Sequence, residues 1–309
     1  MKKILITGSN GLLGQKLVYK LKERKDIQLI ATSKGENRIL NTENYIYQPL
    51  DITNQQEVDR IIAAYLPDVI INTAAMTNVD ACETQQELCR KLNVDAVNYF
   101  IKAIKNQESN NHNYKCHFIH LSTDFIFDGE AGPYDENAKP NPLSFYGQSK
   151  LDAETIVINS GIKYAIARTI IVYGIVDGMS RSNVVLWARE ALQKGQKINV
   201  VNDQFRTPTL AEDLADGCIL IAEKGATGIY NISGKDFMSV LQLVERVADF
   251  FKLDKSLINP IASSSLNQLA KRPPRTGFVL DKAMNDLGYN PHSFEKGLEI
   301  VANQIASAQ

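Results

Sequence analysis

Through the first half of the chain, short apolar runs alternate with stretches in which apolar residues recur at helical spacing. Residues 3–7, 28–32, 45–50, 69–72, 117–122 and 164–169 have the length and β-branched content of strands. Residues 12–21 and 55–65 have the amphipathic period of helices, and Thr53 and Gln56 stand at the spacing of a capping box before the second. Strand alternating with helix predicts a parallel sheet covered by helices on both faces, a Rossmann-type doubly wound α/β fold. Ligands then gather at the carboxyl ends of the strands. Beyond Gly174 the alternation weakens. Helices are expected at 183–194, 211–223, 240–251 and the tail, with short strands at 197–202 and 228–233. The expected organisation is a main domain over residues 1–174, rejoined by segments around 205–233, and a smaller C-terminal α/β lobe over 175–309 that is mainly substrate-binding.

The first strand runs into Gly8-Ser9-Asn10-Gly11-Leu12-Leu13-Gly14. Strand, glycine turn and helix in succession is the context of a dinucleotide site: Gly8 permits the turn, Gly11 lets backbone approach a pyrophosphate, and Gly14 lets helix pack on strand. The helix N-terminus then presents free N–H groups and a positive dipole end to the phosphates. The spacing is Gly-x-x-Gly-x-x-Gly rather than Gly-x-Gly-x-x-Gly. Further on, Tyr146 and Lys150 stand one helical turn apart and project from one face. A phenol with a pKa of ~10 is a poor acid at neutral pH, and a neighbouring ammonium is expected to lower it.

Composition restricts the functions open to such a fold. The 309 residues carry a net charge of −1 with both signs interspersed, which proposes neither nucleic acid nor an anionic membrane as partner. No apolar stretch approaches the ~20 residues of a membrane span, and the first apolar run is too short for a signal-peptide core. Cys82, Cys89, Cys116 and Cys218 lack metal-type spacing and suit free thiols in a reducing cytoplasm; Cys82 and Cys89 can share a helical face. His117 and His120 point to opposite faces of one strand and are read as structural, so no metal site is expected. A homodimer is the default assembly.

Taken in order, these segments resemble the extended short-chain dehydrogenases/reductases over most of the chain, and within them the dTDP-4-dehydrorhamnose reductase family. The resemblance lies in residues 7–14, 50–52, 67–80, 121–129 and 146–150, in Arg168-Thr169 with Val172-Tyr173-Gly174, and in residues 203–209. It implies reduction by NADPH or NADH of the 4-keto group of a nucleotide-linked 6-deoxy sugar. It implies Thr123, Tyr146 and Lys150 as catalytic residues; strand alternation lets only one of Ser122 and Thr123 face the cleft, and the resemblance favours Thr123. On the cofactor side it implies Gly8, Asn10, Gly11, Leu12, Leu13, Gly14, Asp51, Ile52, Ala74, Ala75, Met76 and Lys150. On the substrate side it implies Thr77, Thr123, Asp124, Tyr146 and Asn183. Phe125 stands where the related 4,6-dehydratases carry a second acid, which favours plain reduction. The resemblance extends also to sugar-nucleotide epimerases and to the regulatory β subunit of methionine adenosyltransferase, a cofactor-binding partner protein.

Three departures bear on specificity. At the end of the second strand, Ser33 and Lys34, with Arg38 behind, replace the carboxylate typical of NAD users, which suits a 2′-phosphate and predicts a preference for NADPH. Ile171 stands where relatives often carry tryptophan. Lys271-Arg272-Pro273-Pro274-Arg275 resembles the family's arginine–proline segment with altered spacing, and its cations could meet a diphosphate.

Overall fold

A computed structural model describes residues 1–179 and 182–307, so 180–181 and 308–309, which fall within the expected second lobe, lie outside the described residues. In chain order the elements begin β1 (Lys2–Thr7), α1 (Leu12–Leu21), β2 (Ile27–Ser33), β3 (Ile46–Pro49), α2 (Gln55–Tyr65) and β4 (Val69–Asn72). They continue with α3 (Val79–Thr84), α4 (Gln86–Arg90), α5 (Ala96–Asn110), β5 (His117–Thr123), α6 (Phe145–Ile158) and β6 (Lys163–Thr169). Then come β7 (Val172–Tyr173), α7 (Val184–Gln193), β8 (Ile198–Val201), β9 (Phe205–Arg206), β10 (Thr209–Leu210), α8 (Ala211–Lys224) and β11 (Gly228–Asn231). The chain closes with β12 (Met238–Ser239), α9 (Val240–Phe251), β13 (Ile258–Ile261), β14 (Arg275–Thr276) and α10 (Phe294–Ser307).

Seven strands form one sheet in the order β11-β6-β5-β4-β1-β2-β3, and every pairing within it is parallel. Strand order reverses between β1 and β4, which opens a crevice at their carboxyl ends. Two apolar clusters cover the two faces. One holds Ile4, Ile6, Leu17, Val18, Leu214 and Ile221; the other holds Leu5, Ile70, Val58, Ile62, Phe100 and Ile104. Alternate residues of β1 thus enter opposite cores, as the period of a strand requires. A third cluster, with Tyr173, Val185, Leu192, Leu243, Phe294 and Leu298, joins α7, α9 and α10. Of the returning segments, β11 joins the main sheet beside β6, whereas β9 pairs with β12 and β14 in a separate three-stranded sheet.

The capping box expected from Thr53 does not form. Asn54 is the N-cap of α2, its side chain accepting from the N–H groups of Gln56 and Glu57, while the Thr53 hydroxyl donates to Asp51 at 2.7 Å. The amide oxygen one residue later accepts from the orphan donors, and Asp51 captures the threonine. Replacing Asn54 by alanine is expected to cost about 1 kcal/mol of stability, measurable by urea denaturation.

Candidate active site

The glycine turn after β1 is built for close approach. A Cβ placed on Gly14 would lie 2.2 Å from the carbonyl oxygen of Gly8, and Gly8 itself has φ of +66°, so α1 packs tightly on the turn only with glycine at both positions. Gly11 is the N-cap of α1, with no side-chain cap and no acid in the first turn. Those N–H groups and the dipole therefore point at the cleft without a competing carboxylate, the arrangement that receives a phosphate.

From this turn a cleft of about 910 Å³ runs across the carboxyl ends of the strands. It is lined by Gly8, Asn10, Gly11, Leu12, Leu13 and Gly14, by Ala75, Met76 and Thr77 after β4, and by Ser122, Thr123 and Asp124 at the end of β5. Tyr146 and Lys150 face it from α6, and Asn183, Ile171 and Arg272 from the second half of the chain. Ser33, Lys34, Asp51, Ile52 and Ala74 are not among its lining residues. Ala74 packs behind Gly8, Ile52 is buried, and Lys34 pairs with Asp51 at 2.7 Å beside the end of β2. Burial works against ionisation of Asp51, but hydrogen bonds from Lys34 and Thr53 outweigh it and hold the carboxyl at about 2.

Helix α6 begins where Ser144 accepts from the N–H of Gly147, and Gly147 packs so closely on the carbonyl of Phe125 that a side chain there has no room. This clamp seats Tyr146 edge-on against Phe125, with ring centroids 5.7 Å apart. Tyr146 and Lys150 are both buried. The net shift of the Tyr146 pKa runs opposite to the expected one. Burial pushes the phenol above its ordinary value, the charge of Asp124 adds to this, and a hydrogen bond with Thr123 pulls the other way. Lys150 Nζ donates to the carbonyl of Leu121 at 2.6 Å and lies 3.2 Å from His120 Nε2. Burial brings the lysine down to about 8, against the opposing charge of Glu154.

His120, read from the sequence as merely structural, is therefore part of the site. His117, on the other face of β5, is buried with both ring nitrogens unpaired among the described residues. Asn93 was not anticipated either. It sits in a π-helical turn over Lys91–Asp95, between α4 and α5, grips both backbone groups of Met76 and donates to Ser149 Oγ at 3.0 Å. A buried asparagine on the apolar face of a helix was the available signal, and π turns often mark such positions.

Ser122 and Thr123 both line the cleft, because the strand ends there and a 3₁₀ turn over Asp124–Ile126 follows. Thr123 donates to Asp124 Oδ1 at 3.1 Å, and its oxygen receives the N–H of Phe125. Asp124 is buried; Thr276 donates to its other oxygen and Arg206 lies 3.6 Å away. Burial still raises the Asp124 pKa. Asn183 caps α7 by accepting from Leu186 N–H and donates to Gly174 O at 2.7 Å, so both ends of its amide are engaged. Of the three cations at 271–275, Arg272 alone lines the cleft, forked onto Asp80 of α3 with contacts of 2.7 and 3.2 Å. Arg275 lies over the rings of Phe205 and Phe237, and Lys271 is exposed. All four cysteines are free and buried, and Cys82 and Cys89 pack against Tyr146. Among the described residues no cluster of His, Cys, Asp or Glu could hold a metal, and no helix is long and apolar enough to cross a membrane.

A parallel sheet in this order, a glycine turn before α1, and Tyr-x-x-x-Lys on the helix after β5 define the architecture of an extended short-chain dehydrogenase/reductase. More narrowly, the RmlD substrate binding domain family matches residues 1–307, and the chain belongs to that family. It is similar to a dTDP-4-dehydrorhamnose reductase of Aggregatibacter actinomycetemcomitans, 32% identical over 97% of this chain and 98% of that protein. It is also similar to methionine adenosyltransferase 2 subunit beta of Xenopus laevis, 30% identical over 84% of this chain and 75% of that one. Among solved structures, the Bacillus anthracis dTDP-4-dehydrorhamnose reductase in complex with NADP superposes with a TM-score of 0.82 at 26% identity, covering 98% and 100% of the two chains.

Proposed function

We propose that the protein is an NAD(P)H-dependent reductase of a nucleotide-linked 4-keto-6-deoxy sugar, with dTDP-4-dehydrorhamnose as the substrate and dTDP-L-rhamnose as the product. The observation that carries this reading is the convergence of Thr123, Tyr146 and Lys150 on one cleft that also contains an uncapped helix N-terminus. The reduced nicotinamide supplies the hydride when bound. Leu12, Leu13 and Gly14 hold the pyrophosphate through their N–H groups, while Ala75 and Met76 line the path between phosphate and reacting carbon. Tyr146 donates its proton to the 4-keto oxygen and Thr123 hydrogen-bonds the same oxygen. Lys150, one turn on, stabilises the tyrosinate left behind.

Likeness to the methionine adenosyltransferase subunit supports a second reading, a cofactor-binding partner protein. A complete Thr–Tyr–Lys set facing an open cleft favours the enzyme. The deciding assay follows the absorbance of NADPH or NADH on mixing with enzyme and dTDP-4-dehydro-6-deoxy-L-mannose. Substrate-dependent loss of the signal supports the reductase; retention of the signal with both cofactors, despite cofactor binding, moves the reading to the partner protein.

NADPH is the preferred cofactor in this proposal. Lys34 is exposed at the end of β2 and paired only at the surface with Asp51, so a 2′-phosphate can compete for it. Lys34→Ala is expected to raise the KM for NADPH about tenfold, the worth of one charge-assisted hydrogen bond, and to leave that for NADH unchanged. Equal KM changes for both cofactors would remove Lys34 from that role.

A further inference from the structure

We infer that Gln15 is a positioning residue for cofactor retention: with Tyr19 it latches a strap of residues 174–179 onto α1, and the strap closes the phosphate-binding end of the cleft. The inference rests on the reading of this cleft as a dinucleotide site, while the latch itself is a set of hydrogen bonds within the chain.

The strap follows β7 and is neither helix nor strand over residues 174–179. Val176 and Met179 line the same cleft as Gly11, Leu12, Leu13 and Gly14. Asp177, between them, is held by α1. The buried Gln15 donates through Nε2 to the carbonyl of Asp177 at 2.8 Å and to that of Asn10 at 3.3 Å, and its Oε1 accepts the N–H of Asp177 at 3.1 Å. Both hydrogens of the amide are used, and the two backbone groups of Asp177 fix which way the amide faces. Tyr19, one turn further along α1, donates its hydroxyl to Asp177 Oδ2, which also receives the N–H of Leu40 at 3.3 Å. Gly178, with φ of +54°, makes the turn between Asp177, bound to α1, and Met179, which lines the cleft.

A buried amide satisfied by the backbone of a loop from the other half of the chain ties the position of that loop to its own helix. That helix is the one whose N-terminus receives a phosphate in this reading, so the glycine turn and the strap form one wall while the latch holds. Asn10, in the glycine turn, makes a second clasp: it donates to the carbonyl of Glu36 at 2.7 Å and accepts the N–H of Arg38 at 2.9 Å. Leu40 belongs to the same loop after β2, so that loop, the turn and the strap meet at one rim of the cleft. At this rim Leu40 is 85% exposed and Asp177 half-buried. Side-chain hydrogen bonds rather than a packed core hold the strap, and it opens locally at a fraction of the free energy of global unfolding. A dinucleotide seated in the cleft leaves through that opening, at a rate set by how firmly the latch holds.

The test uses the full chain and two variants. Gln15→Met keeps the volume of the side chain and removes its bonds to Asp177, and Tyr19→Phe removes one hydroxyl. Release of NADPH, chased by excess NADP⁺ and followed by cofactor fluorescence, is expected to be about tenfold faster in Gln15→Met and about threefold faster in Tyr19→Phe. Hydrogen exchange read by mass spectrometry is expected to show faster exchange in residues 174–179 of both variants, with β1 and β4 as protected as in the parent. Release at the parental rate from both folded variants overturns the inference. So does faster release accompanied by equal loss of protection in β1 and β4, which is the signature of general destabilisation. Should Gln15→Met not fold, Tyr19→Phe decides alone. A parent that binds neither NADPH nor NADH removes the dinucleotide site and this inference with it. A parent that binds NADPH without reducing the sugar loses the reductase reading alone, because neither release nor exchange requires turnover.

Discussion

Tyr146→Phe is expected to lower the rate of NADPH-dependent reduction of dTDP-4-dehydrorhamnose by roughly 10²–10⁴-fold, while the affinity for NADPH stays unchanged. The ring of Tyr146 packs against Phe125 and among Cys82, Cys89 and Phe145, contacts a phenylalanine reproduces, so the substitution removes a hydroxyl and little else. Initial rates and cofactor fluorescence titration separate the two effects. A variant that turns over like the parent would show that another group supplies the proton. The pH dependence follows from burial, which holds the phenol above its ordinary value. Reduction needs the protonated acid and loses no rate to Tyr146 across the neutral range. The reverse oxidation needs tyrosinate and gains rate as pH rises through that range. Partner binding untouched by the substitution, with no turnover in the parent either, is the outcome that a regulatory subunit would give.

Strand edges were legible where a strand of the main sheet is an apolar run bounded by polar turns. Residues 69–72 and 55–65 coincide with β4 and α2 for that reason. The phosphate-binding turn was legible because Gly8 and Gly14 are demanded by local sterics, which a sequence records directly. Tyr146 and Lys150 were legible as a pair because one helical turn relates them. What stayed hidden depends on contacts between distant segments. Asp124 meets Thr276 and Arg206 across a large separation in sequence, so the hydrogen bonds and ion pair that hold it in the cleft wall could not be read from its neighbours. Arg272 finds Asp80, and Arg275 finds two phenylalanine rings, and nothing in a run of charges distinguishes those fates. The direction of the Tyr146 shift was misjudged from the same cause. Spacing along a helix places Lys150 near the phenol, but only the fold reveals the Leu121 carbonyl accepting from Lys150, His120 beside it, and Tyr146 and Lys150 both shut away from water.

The same helix carries the ion pair whose loss is expected to cost the most stability. Glu154, one turn beyond Lys150, receives two hydrogen bonds from Arg168 of β6, at 2.9 and 2.7 Å, and both side chains are almost wholly buried. Arg168 also donates to the carbonyl of Glu136 and lies over the ring of Phe127, so it ties α6, β6 and the segment after β5 together. Arg168→Met fills much of the same volume but leaves the Glu154 carboxylate buried and unpaired. The expected cost is about 3–5 kcal/mol, a large share of the ~5–15 kcal/mol that stabilises a typical domain, with a fall in Tm on the order of 10 °C. Scanning calorimetry and urea unfolding measure it. The double variant Arg168→Met, Glu154→Leu removes both charges, and most of the loss should be recovered, because the desolvation cost goes with the pair. A single variant as stable as the parent would mean that water or another cation reaches Glu154. A double variant as unstable as the single one would assign the effect to packing around Phe127 rather than to charge. The double variant also tests the site, since Glu154 is the group that most opposes burial in holding up the Lys150 pKa. With it gone, the Lys150 midpoint should move below about 8, and NMR on the folded double variant reads that shift apart from stability.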